Sequence, residues 1–421
     1  MTGPLTGAFA ADADRRLAQT DRVLATAYPG DSSARQPVHT VYLPADRFTV
    51  GTAATWGEAA LQAAEAAGGL DYLANLVGVS EAIAGPTADK LTREPIEDVR
   101  LDFEDGYGNR GDEVEDADAN TAARAVQAAA QAGTAPPFIG IRFKCFEAAT
   151  RRRGLRTLEI FLLALADAGE LPDGLMLTLP KVSTPDQVAV MVEACAALED
   201  AIGLRSGRLR FEVQMETAPM VLGPDGYCPI PAMIHHSDGR VSGLHYGTYD
   251  YSGSLQIAAR YQSMEHPAAD HAKAIMQVAA AGTGVRLSDG STNILPVGDT
   301  AQREAAWILH ARLVRRSLER GFYQGWDLHP AQLPTRFLAT YAFFRDGFSD
   351  AATRLRDYVQ HTSSAVLDEP ATARALARFI HRGLTSGALD TDEVQRAVAL
   401  SPAELLRLAY PATAPLLSMN L

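Results

Sequence analysis

The sequence predicts a (β/α)8 barrel with an extra helical C-terminal region. Three observations carry this. Short apolar runs bounded by Gly, Pro or Asp recur along the chain. Ala-rich amphipathic stretches separate them. Ionisable residues gather just after nearly every run. Strands buried on both faces read as short apolar runs, and strands alternating with helices imply parallel pairing.

In chain order, the expected strands are Val38–Pro44, Val99–Phe103, Phe138–Phe143, Leu175–Leu179, Leu209–Met215, Val241–Tyr246, Gly284–Leu287 and Gly325–Leu328. The seventh is the weakest in pattern, because a polar, Gly-containing loop follows Leu287 at once. The expected crossover helices are Ala117–Gln131, Leu155–Ala168, Pro185–Ala201, Met264–Ala281 and Thr300–Arg320. The segment Phe48–Arg93 is longer than one helix needs and is expected to hold two. Residues 1–37 read as an N-terminal helical segment, 38–335 as the barrel and 336–421 as a helical C-terminal extension. In that extension, Asp390 with Glu393 and Ser401-Pro402 with Glu404 are helix starts of capping-box type.

The chain has 421 residues, enough for one large barrel with appendages. Its formal net charge of −13 argues against nucleic acid or an anionic membrane as partner. An anionic small molecule stays allowed, because a metal and a few arginines make a pocket locally positive. Cys145, Cys195 and Cys228 have no metal-ligand spacing, and so few suit a reducing cytoplasm better than a disulfide framework. No signal peptide or membrane span is expected, so the expected location is cytoplasmic.

In barrels the chemistry sits at the C-terminal ends of the strands. Read in order, those ends carry Asp46; Asp102, Glu104 and Asp105; Arg142 and Lys144; Lys181; Glu216, Thr217 and Ala218; Asp250; Asp289; and His329. Glu216 and Asp250 close successive buried runs. A carboxylate there is costly unless a cation compensates it, and two suggest a shared divalent ion with hard oxygen ligands. The plainer alternative is that each carboxylate caps a helix or meets an arginine. By strand alternation Asp102 and Glu104 share a side, with Asp105 opposite. Arg142 has a salt bridge with Asp102 or Glu104 as its structural alternative, and Asp105-Gly106 has a simple turn. His329 before Pro330 reads as structural. His235, His236 and His245 lack the spacing of a zinc site. The Arg151–Arg153 run reads as a solvated helix start near the mouth, in reach of phosphates on an extended substrate.

The ordered motifs Leu-Asp-Phe-Glu-Asp-Gly (101–106), Ile-Arg-Phe (141–143), Leu-Pro-Lys (179–181), Met-Glu-Thr-Ala (215–218), Leu-His-Tyr-Gly-Thr-Tyr-Asp-Tyr-Ser (244–252) and Trp-Asp-Leu-His-Pro-Ala-Gln-Leu (326–333) resemble the HpcH/HpaI aldolase and citrate lyase β-subunit superfamily. The Asp-Tyr-Ser form leans toward its malyl-CoA lyase branch. The resemblance implies a TIM barrel and a homo-oligomer. It implies Glu216 and Asp250 as ligands of Mg2+, with Mn2+ as a substitute. The metal would chelate a small 2-oxo or 2-hydroxy carboxylate, free or as a CoA thioester, and stabilise an enolate-like state. Arg142 would act beside the developing oxyanion and bind the carboxylate. Glu104 and Asp105 would order metal-bound water and join the catalysis. Lys181, Thr217, Ala218 and Asp102 would line the substrate. The implied activity is a carbon–carbon lyase or aldolase running in either direction.

Several positions depart from the superfamily pattern. Val38 stands where an Arg usually enters the first strand, and Ala45 follows Pro44 where Gly is usual. Gly325 stands at a usually basic position, and Lys144 where Asn is usual. All are substrate-side positions, so the metal chemistry is better supported than any named substrate. They also motivate the alternative of a non-catalytic or regulatory carboxylate-binding barrel that keeps the metal site. A Schiff base on Lys181 is a rival chemistry that a metal pair would make redundant. Phosphoryl transfer is disfavoured by the lack of a Gly-rich Walker-type loop.

Overall fold

The computed structural model describes residues 3–360 and 369–412. Eight parallel strands form one sheet: β1 His39–Pro44, β2 Asp98–Asp102, β3 Phe138–Arg142, β4 Leu175–Leu179, β5 Phe211–Met215, β6 Val241–Tyr246, β7 Arg286–Ser288 and β8 Gly325–Asp327. Each strand from β1 to β6 pairs with the next in sequence, and β1 also pairs with β8. The seam between β7 and β8 is closed by a single bridge, Ser288 to Gln324. This is the (β/α)8 barrel the pattern predicted, with helices around it and a helical C-terminal region.

Local chemistry explains where the elements depart from expectation. β5 begins at Phe211 rather than Leu209, because the Leu209 N–H is taken by the Glu199 carboxylate at 2.6 Å. β7 starts at Arg286 because Gly284 is left-handed (φ 79°), a region that favours glycine and ends an extended run. Between β1 and β2 there are three α-helices, Thr52–Glu65, Leu70–Leu76 and Ala84–Arg93, rather than two. Left-handed Gly68, Gly69 and Gly78 cut the segment into these pieces.

A larger correction concerns the strands themselves. They are not apolar on both faces. Val99 and Leu101, Ile139 and Ile141, Leu175, Leu177 and Leu179, and Phe211 and Val213 join one core with the helices Asp112–Gln131, Arg151–Ala168 and Pro185–Ile202. The alternate positions turn inward and are mostly polar, with Gly140 and Met176 among the exceptions. Fully buried Arg100 bonds Asp98, Glu212 (2.6 Å) and Thr178 Oγ1 (2.8 Å) across the lumen. Glu212 also meets His245 Nε2 at 3.0 Å, and Thr40 donates to Asp98 at 2.8 Å. Buried ion pairs persist when every partner is present, and removing one partner costs about 3–5 kcal/mol.

A second core lies beside the barrel. The helices Leu333–Val359, Pro370–Thr385, Thr391–Val398 and Pro402–Ala409 pack with those of the β1–β2 connection. Asp327, fully buried on β8, ties this layer to the barrel. It accepts from His39 Nδ1 (2.6 Å), is paired with His310 Nε2 (3.0 Å), and takes the Arg336 guanidinium at 2.9 and 3.0 Å. The residue 335–336 junction therefore falls inside a helix anchored in the barrel wall. Ser401 and Glu404 form a reciprocal capping box, whereas Asp390 caps its helix without the return bond from Glu393. Near the N-terminus, Ala8–Ala27 is helical and buries none of its residues. No described helix is long and apolar enough to cross a membrane.

Candidate active site

The C-terminal rim gathers seven of the residues singled out from the sequence. Arg142, ending β3, grips Asp102, ending β2, through Nε and Nη2, both at 2.7 Å. Its Nη1 lies 3.5 Å from both Glu104 and Gln214. Lys181, just after β4, places Nζ 2.5 Å from Glu104 and 2.7 Å from Asp105, with Asp250 at 3.8 Å. The Lys181 main-chain N–H donates to Glu216 Oε1 at 2.7 Å. Asp250 lies in the first turn of the helix Thr248–Ser254, which follows β6.

The strand-alternation expectation for Asp102, Glu104 and Asp105 fails, because the strand ends at Asp102. Its carboxylate caps the turn, accepting from the Glu104 N–H (3.0 Å) and the Gly106 N–H (2.8 Å). The turn swings Glu104 and Asp105 onto the same lysine. The salt-bridge role considered for Arg142 and the turn considered for Asp105 are thus both present at the rim.

Other expected residues are engaged differently. The Thr217 hydroxyl donates to the Val182 carbonyl at 2.6 Å, and Ala218 opens a short helix. Asp289 is turned away and buried against Lys273 (3.0 Å) and Ser317 (2.7 Å). His329 caps the turn that follows, accepting from the Ala331 N–H at 3.1 Å. Asp46 pairs with Arg110. Lys144 braces the β2 loop from below, donating to the Phe103 (2.8 Å) and Gly108 (3.2 Å) carbonyls and to Glu115 (2.5 Å). Arg153 is tied to Asp116, and Arg151 to the Phe146 carbonyl. His245 is held by Glu212 and by the Trp326 indole N–H.

Two rim residues escaped the sequence reading. The Tyr42 ring lies under the Arg142 guanidinium at 4.7 Å, and Gln214 bridges the two, donating to the Tyr42 hydroxyl at 3.3 Å. Both sit two residues before a strand-end position, Tyr42 before Pro44 and Gln214 before Glu216. Inward parity was the available signal.

The electrostatics separate the carboxylates. Burial, and then repulsion from Asp250, pushes Glu216 up to about 8. Burial and then Asp105 also raise Asp250, against the pull of Lys181. Glu104 is raised chiefly by burial. For Asp105 burial acts upward, but Lys181 and Arg142 outweigh it and hold the group below its usual range. Both carboxylates are thus raised at one rim, with Lys181 and Arg142 offsetting only part of the burial.

Among the described residues, no set of three or more His, Cys, Asp or Glu side chains is placed to hold a metal. Glu216 and Asp250 nevertheless fit Mg2+, which needs only one or two carboxylates and completes its shell with water and ligand oxygens. Glu216 Oε1 is oriented by the Lys181 N–H while Oε2 has no hydrogen bond from any described residue. Gly247 keeps that oxygen clear, since a Cβ there would lie 2.4 Å from it.

A family model described as "Domain of unknown function (DUF6986)" matches residues 17–412. The chain belongs to this family. No curated protein matches the sequence. Among solved structures, a citrate lyase from Burkholderia xenovorans LB400 is 18% identical with a TM-score of 0.56, covering 88% of this chain and 100% of its own. A malate synthase from Haloferax volcanii is 15% identical with a TM-score of 0.50, covering 90% of this chain and 91% of its own. The CitE protein of Mycobacterium tuberculosis, in complex with magnesium, acetoacetate and coenzyme A, is 17% identical with a TM-score of 0.48, covering 85% and 100%. Citrate lyase is among the proteins the motif order resembles, and at such identities the likeness is one of fold.

Proposed function

We propose that the chain is a Mg2+-dependent carbon–carbon lyase or aldolase acting on a small 2-oxo or 2-hydroxy carboxylate, free or as a CoA thioester. The observation that carries this is the pair Glu216 and Asp250, both raised by burial at one rim, beside a fixed guanidinium. The neighbouring fold of a malate synthase described with glyoxylate, a 2-oxo acid, agrees with that ligand class. A bound Mg2+ would supply Lewis-acid stabilisation of the oxygen that becomes negative when the carbon–carbon bond breaks or forms.

The chain's own groups divide the remaining work. Asp102 and the Tyr42 ring immobilise Arg142, so that Nη1, held only at 3.5 Å by Glu104 and Gln214, is the donor most open to a carboxylate or developing oxyanion. Lys181 holds Glu104 and Asp105 together and orients Glu216 through its N–H. Glu104, raised by burial, is placed to carry a proton at the rim. Thr217, with its hydroxyl committed to Val182, would serve the substrate through its position rather than that hydroxyl.

The test is a product assay with 2-hydroxy acids and their CoA thioesters, and with glyoxylate plus acyl-CoA for condensation. Glu216→Gln and Asp250→Asn should each lower turnover by about 10²–10³-fold or more with the fold retained. Full activity in either variant would sink the proposal. Metal and oxo-acid binding without turnover on any of these substrates would favour the non-catalytic barrel.

A further inference from the structure

The end of the barrel opposite the Glu216 rim carries a concentration of positive charge. The turn entering β5 reads Arg205-Ser206-Gly207-Arg208-Leu209-Arg210, and β7 opens on Arg286. All four arginines line one open cavity of about 330 Å3 at the N-terminal ends of β3 to β7. Asp173 is the one carboxylate that lines it with them. This density stands out in a chain of net charge −13.

Elsewhere the arginines of this protein are largely answered by carboxylates, as Arg35 is by Glu94 and Glu97, or Arg240 by Glu199. Here they are not. Arg208 Nη2 donates only to the Leu171 and Pro172 carbonyls (3.2 and 2.6 Å), and Arg286 Nη2 to the Ala34 carbonyl (2.9 Å). The Arg205 and Arg210 side chains form no hydrogen bond or ion pair with any described residue. Arg210 projects into the open cavity, yet surrounding protein atoms depress its pKa with nothing to offset them. Burial likewise depresses Arg286; Glu212 opposes this and the adjacent Arg210 adds to it.

Converging guanidinium groups without carboxylate partners are stabilised by an external anion. Their planar forks suit the oxygens of a phosphoryl group, which can accept several paired N–H bonds at once. We propose that this cavity is a binding site for a phosphoryl-bearing anion, separate from the carboxylate rim. Arg205 and Arg210 supply the free donors, with Arg208 and Arg286 held in place by main-chain carbonyls. Ser32, Ala34 and Arg286 also border an adjoining cavity of about 220 Å3, lined further by Gln36, Tyr323 and Arg382 and by the acid Asp31. That second space accommodates the organic part of a phosphate ester. The inference is independent of the reaction proposed at the rim.

The test is calorimetric titration of the full chain, in metal-free chloride buffer, with inorganic phosphate, pyrophosphate and ADP. Saturable binding of at least one is expected. Arg210→Ala and Arg205→Ala should each weaken it at least about 10-fold, the loss of roughly one charge-assisted contact. Both side chains are exposed, so their anion-free melting temperatures should match wild type. Glu216→Gln should leave the affinity unchanged. ADP binding tighter than pyrophosphate supports an ester seated across both cavities, and equal or weaker ADP binding supports a free phosphate or diphosphate. No saturable binding of any of the three, or binding that neither arginine variant weakens, would overturn the site.

Discussion

Lys181 and Glu216 are joined through the main chain. The Lys181 N–H donates to Glu216 Oε1 at 2.7 Å, while the ammonium of the same residue turns to Glu104 and Asp105. One residue thus orients a carboxylate with its backbone and pairs two others with its side chain. It does so at φ 51°, a left-handed conformation that costs a non-glycine residue about 1–2 kcal/mol. The two roles are separable by mutation. Lys181→Ala and Lys181→Gly both keep the N–H and lose the ammonium, so both should lose activity. Removing a cation from among Glu104, Asp105 and Asp250 should tighten Mg2+ binding by about 10-fold, measured by calorimetry. The glycine variant should be the more stable of the two by about 1 kcal/mol in denaturant melts.

The raised pKa of Glu216 has a definite sign in stability. Its carboxyl moves from the ordinary range, near 4.5, up to about 8 in the folded protein. Between those values the folded state holds a proton that the unfolded state has released. The stabilisation is full below about 4.5 and is lost as pH rises through about 8. Metal-free protein should therefore weaken across that window by up to a few kcal/mol, and Glu216→Gln should flatten the slope. Binding of Mg2+ at pH 7 should release protons, which calorimetry in buffers of different ionisation enthalpy will count.

Gly247 is required by contact rather than by backbone angle. A Cβ there would approach Glu216 Oε2 to 2.4 Å and the Glu216 Cβ to 2.5 Å. Gly247→Ala should displace the carboxylate and weaken Mg2+ binding about 10–100-fold. An unchanged metal affinity would mean that Glu216 is not a ligand.

Arg142→Lys tests the guanidinium fork. Lysine keeps the charge but loses the two-point grip on Asp102 and the contact with the Tyr42 ring. Turnover should fall about 10²-fold from misplacement of the donor, with a smaller loss of thermal stability.

Asp327→Asn probes the second core. Asp327 answers Arg336 and two histidines from full burial, which holds its carboxyl well below its usual range despite desolvation. The substitution should cost about 3–5 kcal/mol and open the C-terminal helices to limited proteolysis. Mg2+ affinity should be unchanged, because the partners of Asp327, which are His39, His310 and Arg336, make no contact with Glu216 or Asp250.

The alternation of strands and helices was legible because spacing and bounding Gly, Pro and Asp residues are local signals. So was the ring of ionisable strand ends from Asp102 to Asp250. The polar lumen was not. In Asp98-Val-Arg-Leu-Asp the apolar residues face the helices, and no local pattern tells an inward charge from an outward one until the partner strands are known. The convergence of Glu104 and Asp105 on Lys181 depended on a turn that Asp102 caps, which overrides the two-residue period. Lys144 was read as a substrate-side departure, yet its ammonium supports that same turn.

The Arg100 cluster bears on how this lumen can change over generations. Loss of Asp98, Arg100 or Glu212 alone strands a charge in a dry interior, while replacing the group together by well-packed aliphatic residues is often neutral or favourable. Single steps are penalised and only concerted ones are tolerated. The wiring inside the barrel therefore behaves as a ratchet, locked at its centre.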